Sequence, residues 1–112
     1  MSVSLSVYKG ETYNDEKSDF IIDIPVSFQR IWNEGWELLI SKCRTTRFVI
    51  GGMFTVNDIP IILDELEKMY EYICSNNVSD KEYIQNRIKE LKQYLKNIYF
   101  EKDNLDYWFD LG

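Results

Sequence analysis

The chain contains no histidine. That removes the commonest general base and the commonest metal ligand. Serine–histidine and cysteine–histidine nucleophile pairs are excluded, and so are zinc sites built on imidazole. Two cysteines are present, Cys43 and Cys74. They are too few for a four-thiolate site. Each falls at an apolar position late in an expected helix, which points to small buried hydrophobes kept reduced. No apolar run approaches the ~20 residues that span a bilayer. The opening MSVSLSVYKGE lacks the basic start and continuous apolar stretch of a secretory signal, so a cytoplasmic protein is expected. Glycine is scarce. Gly51-Gly52 is the one adjacent pair, and no GxGxxG pattern or following Lys-Ser or Lys-Thr accompanies it. A phosphate-cradling loop is therefore not supported.

What is present suits one globular domain over residues 1–112. Hydrophobic residues make up 45% and aromatics 15%, enough for a core without metals or disulfides. The net charge is −6, and it is unevenly spread. Residues 58–78 and 102–112 are acidic, whereas residues 25–57 are slightly basic. An acidic surface repels a nucleic-acid backbone and suits basic proteins. A modest net charge also keeps many domains dispersed without further purpose.

SVSLSVY, residues 2–8, alternates polar and apolar and predicts a half-buried strand with Val3, Leu5 and Val7 on one side. FIIDI, residues 20–24, is a short apolar run able to pair with it across a long polar connection. Pro25 suits a first helical turn. Phe28, Ile31, Trp32, Trp36, Leu39, Ile40 and Cys43 then recur at helical spacing, and Trp32 and Trp36 read as core. Gly35 interrupts that helix and predicts close approach by another element. Gly51-Gly52 predicts either a two-residue hairpin turn or a kink in one extended segment. Asp58 reads as an N-cap with Pro60 just inside, opening a helix whose apolar face is Ile62, Leu63, Leu66, Met69, Tyr70 and Ile73. Asn76-Asn77 ends it with residues that tolerate left-handed backbone. Ser79 and Glu82 have the spacing of a capping box. Ile84, Ile88, Leu91, Leu95 and Ile98 then form the seam of a further helix, antiparallel to the last across a short link. The expected fold is α+β: a small antiparallel sheet packed against three main helices, including a C-terminal helical hairpin.

The remaining chemistry is thin. Asp64, Glu65 and Glu67 could in principle hold a hard cation, but on an exposed helix face they read as solvated charge. The loop from Asp15 and Glu16 to Asp19 lacks the alternating acids and central glycine of a calcium loop. Arg44 and Arg47, and the lysines 89, 92 and 96, lie among acidic segments and read as solvated faces. The expectation is no enzyme, no cofactor, no metal, and neither a nucleic-acid nor a membrane partner.

Protein binding is what remains. Eight tyrosines and three tryptophans are many for this length, and such side chains dominate binding hot spots. Tyr13 in TYNDEK, and Tyr107 and Trp108 in LDYWFD, sit among carboxylates, a combination that suits a cationic partner. WELLISKC, followed by VIGGMFTVNDIPIILDELEKMYEYI, resembles the small acidic immunity proteins of bacterial toxin systems, including contact-dependent growth inhibition. The resemblance implies a non-catalytic inhibitor that binds and neutralises one cognate toxin domain, often a basic nuclease. Candidate partner-binding residues are Tyr13, Asp15, Glu16, Asp64, Glu67, Glu71, Asp106, Tyr107, Trp108 and Asp110. The alternative is a phage or host accessory protein that self-assembles through its aromatic surface. Within DNLDYWFDLG, alternation predicts that Phe109 and Leu111 dock on the body while Asp106, Trp108 and Asp110 face outward.

Overall fold

The computed structural model describes residues 2–10, 19–101 and 106–112. Alternation in the first segment makes a strand: β1 (Ser2–Lys9) buries Val3, Leu5 and Val7 and turns the intervening serines the other way. It forms an antiparallel hairpin with β2 (Asp19–Phe28). Two further strands, β3 (Met53–Thr55) and β4 (Tyr107–Leu111), complete an antiparallel sheet in the order β2-β1-β4-β3. The segment DYWFDL is therefore neither a loose tail nor an edge. It is a central strand, paired on both sides. Helices cover one face of the sheet, giving the α+β architecture expected from the sequence.

Pro25 departs from expectation. It lies within β2, opposite Ser4, and not in a helix. Ser4 exchanges both of its backbone hydrogen bonds with Gly112 of the β4 side, so its polar groups face away from β2. By the alternation of an antiparallel ladder, Pro25 turns its missing donor to the free outer edge, where no bond is lost. The register also slips twice. Val3 faces Ser27 while Ser4 faces Pro25, and Val7 faces Ile22 while Tyr8 faces Phe20. Val26 and Ile21 are thus extra residues in β2. Bulges and an outward proline blunt an edge that would otherwise invite strand addition.

The chain then runs into one continuous helical rod: α1 (Gln29–Ile31), a π-helical turn (Trp32–Trp36) and α2 (Glu37–Cys43). Trp32 and Trp36 are fully buried, stacked at 5.5 Å, and lie against Phe48. Among the described residues neither indole N–H has an acceptor. Gly35 meets the predicted close approach: a Cβ there would stand 2.6 Å from Cδ1 of Ile84. Gly35→Ala is expected to overpack this contact by more than it gains in helix propensity. A urea denaturation midpoint should report a net loss of about 1 kcal/mol.

Arg44, with φ 54°, ends α2 in the left-handed region. The following segment does not form the hairpin or the kinked strand expected around Gly51-Gly52. It winds through turns, Gly51 adopts φ 77°, and β3 pairs with β4 and not with the residues before the glycines. Two long helices follow, α3 (Ile59–Ser75) and α4 (Lys81–Phe100). They run antiparallel: Glu67 meets Lys92, Tyr70 meets Lys89 and Cys74 meets Gln85, one helix descending as the other climbs.

Their ends are built differently from the sequence reading. Asp58 caps no helix by its side chain; instead Thr55 N–H donates to Asp58 Oδ2 at 3.1 Å, and the two residues box a short 3-10 turn, Val56–Asp58. The Ser79–Glu82 box does not form, because Asp80 occupies the cap position with φ 57°. Asn76 is extended, and its amide donates to the Tyr72 carbonyl. The two cysteines are free, but neither is fully buried: Cys43 is half-buried and Cys74 exposed. Burial pushes the Cys43 thiol up, against a weaker downward pull from Lys68.

Candidate protein-binding face

The sheet face turned away from the helices is organised by register into rows. Asp23 pairs with Ser6, Ser6 with Asp110, and Asp110 with Met53. In the next row Phe20 pairs with Tyr8, Tyr8 with Trp108, and Trp108 with Thr55. One row is acidic with a serine between the carboxylates. The other is aromatic. The Tyr8 and Trp108 rings stack at 4.2 Å, and Phe20 meets Tyr8 edge-on at 5.7 Å. Phe20 is 56% exposed and Met53 43%, while Tyr8, Ser6 and Asp110 are half-exposed. The Ser6 hydroxyl donates to Asp23 Oδ1 at 2.5 Å. Neither row contains a lysine or arginine.

The division of labour expected in the last strand holds in its alternation and fails in one burial. Phe109 and Leu111 are fully buried among the core side chains, with Phe109 stacked on Phe54 at 4.9 Å. Trp108 and Asp110 point the opposite way. Trp108 is nevertheless only 3% exposed. It is not a projecting anchor, because Tyr8 on the adjacent strand lies flat against it. The exposed ring of the row is Phe20, a residue that the apolar run FIIDI had not marked as a surface group.

The other candidates divide between two places. Asp106 is exposed beside the strand, and its carbonyl accepts from Gly10 N–H. Tyr107 is half-buried on the helical side, packed against the core and opposite Lys9. Asp64 and Glu71 are exposed on α3, and Glu67 is half-buried there. Asp64 pairs with Lys68 at 3.1 Å, and Glu67 pairs with Lys92 of α4. These carboxylates belong to the helical layer and are not gathered with the acidic row of the sheet. Tyr13, Asp15 and Glu16 lie outside the described residues.

Glu65 overturns the reading of the acidic run as uniformly solvated. It is 7% exposed. Its carboxylate accepts from the backbone N–H groups of Thr46, Arg47 and Phe48 at 2.5, 3.1 and 2.8 Å, and from the Thr46 hydroxyl at 3.1 Å. Three successive amides turned on one carboxylate fix the loop before β3. A charged residue among other charged residues gives no sequence signal of this. Helical spacing does give one, since Glu65 precedes Leu66 and follows Ile62 on the buried side.

The basic groups are largely engaged. Arg47 pairs with Asp58 at 3.7 Å, Arg30 reaches Glu34 and Asp80, and Lys89 sits over the Tyr70 ring at 5.6 Å. Among the described residues no group of three or more cysteines and carboxylates is placed to hold a metal ion, and no helix is long and apolar enough to cross a membrane. No protein-family model, curated protein or solved structure matches this chain.

Proposed function

We propose that the chain is a non-catalytic, immunity-type inhibitor that binds a basic toxin domain in the cytoplasm, with the open sheet face as its contact surface. The observation that carries this reading is the pairing of an acidic row with an aromatic row on a face without a cation in register. Aromatic area supplies apolar contact, and carboxylates supply charge complementary to a surface evolved to hold phosphates. The blunted β2 edge leaves no clean line for joining copies strand to strand, which weighs against self-assembly by that route.

The test is co-purification with the C-terminal domain of a toxin encoded beside this chain. A complex at micromolar concentration in low salt is the expected result; separate elution of the two proteins rejects inhibition by direct binding. Steering by surface charge acts over ~8 Å at physiological ionic strength. The association rate should therefore fall as salt rises, while the dissociation rate changes less. Stopped-flow measurements across a salt series check this, and a flat association rate would assign the negative charge to solubility alone.

A further inference from the structure

We propose that Ser6, Asp23 and Asp110 form a notch that receives an arginine side chain of the partner protein, with Tyr8 and Phe20 as its aromatic wall. This rests on the reading of the sheet face as the contact surface, and it specifies what that face recognises.

The geometry comes from the register. Ser6 lies between Asp23 on β2 and Asp110 on β4. Adjacent strands are about 4.8 Å apart, so the two aspartates stand roughly 10 Å apart across a small residue. Two carboxylates thus flank Ser6. Tyr8 and Phe20 occupy the next positions on this face along the same strands, roughly 7 Å away, beyond one end of the pair.

Among the described residues, neither of the two charges is compensated by a neighbouring base, unlike those of the ion-paired carboxylates. Asp58, Asp64, Asp80, Glu34, Glu67 and Glu90 each have a lysine or arginine partner. Among the described residues no base pairs with Asp23 or Asp110, and the Ser6 hydroxyl occupies one oxygen of Asp23. A base from outside is the complementary group. A planar guanidinium fits better than an ammonium. Its five donors reach carboxylates on opposite sides at once, and its flat face lies against an aromatic ring. An ammonium is a point charge that satisfies one carboxylate at a time.

The full ¹⁵N-labelled chain would be titrated with the blocked peptide Gly-Arg-Gly-Arg-Gly and with its lysine counterpart, following amide and indole resonances. The arginine peptide should shift the amides of Ser6, Tyr8 and Asp110 and the Trp108 indole, with affinity at least about fivefold above the lysine peptide. The double variant Asp23→Asn, Asp110→Asn should lose about tenfold in affinity with an unchanged thermal melt, and Glu37→Gln on α2 should bind like the parent. Shifts spread over the helices, equal affinity for both peptides, or full binding by the double variant would overturn the notch. The two readings fail separately. Normal arginine-peptide binding without a toxin complex removes the toxin reading and keeps the notch. A toxin complex of undiminished affinity with the double variant removes the notch and keeps the toxin reading.

Discussion

Phe109→Ala is expected to lower the stability of the fold by about 4 kcal/mol, the range for truncating a fully buried aromatic side chain. Phe109 is 0% exposed, stacks on Phe54 of β3 and lies opposite Val7 of β1. Its removal opens a cavity shared by three strands. Trp108→Ala is expected to lose about 3 kcal/mol as well, because the ring is buried and stacked on Tyr8. This reverses what the sequence alone suggested for Trp108. Urea denaturation of the two variants checks both values. If Trp108→Ala melts like the parent and instead loses only partner binding, the stacked ring pair is not part of the stabilising core.

Glu65→Ala is expected to cost about 3 kcal/mol, because a carboxylate that accepts several hydrogen bonds leaves buried donors behind when it goes. Three consecutive backbone N–H groups, from Thr46 to Phe48, lose their common acceptor, and Phe48 packs directly on Trp32 and Trp36. The damage therefore spreads from a polar clamp into the aromatic core. Glu65→Gln should fall between, since an amide oxygen still accepts but its NH₂ meets donors it cannot satisfy. Asp64→Asn, one residue earlier and exposed, should change stability by less than about 0.5 kcal/mol. Near-equal denaturation midpoints for the variants at 64 and 65 would show that the clamp contributes little.

Much of the architecture is legible wherever the chain repeats a period. The alternation of Val3, Leu5 and Val7 gave the first strand, and the spacing from Ile84 to Ile98 gave the last helix with its buried face. The helical hairpin and the mixed fold class follow from those patterns. Gly35 was legible too, because a glycine inside an apolar helical stripe has little reason to be there except proximity. Capping was not. Ser79, Glu82 and Asp58 have the right chemistry at the right spacing, but the backbone found other solutions through Asp80 and Thr55. Side-chain spacing does not reveal which of several polar neighbours wins a given N–H.

The candidate surface was legible in part, for a related reason. Alternation within YWFDL correctly set Phe109 and Leu111 against Trp108 and Asp110. Tyr8, whose ring stacks on Trp108, is a residue from β1, about a hundred positions earlier in the chain. No local pattern contains that distance. The same holds for Asp23 and Ser6, which become neighbours of Asp110 only through the strand order β2-β1-β4-β3. Glu65 was missed because the amides that donate to it lie 17 to 19 residues earlier in the chain.

That strand order governs when the fold can close during synthesis. The β1–β2 hairpin and the α3–α4 pair join segments near each other and can form early. β4 emerges from the ribosome after both strands it joins, and pairings so distant in sequence are intrinsically slow to close. Until it arrives, Leu5, Val7 and Phe54 lack their β4 neighbours Leu111 and Phe109. A nascent chain in that state is a natural substrate for chaperones and proteases. Asp110 and Trp108 come from β4 itself, so neither row of the outer face exists before the sheet closes. If the proposed reading of this face holds, binding competence would arrive only with completed folding.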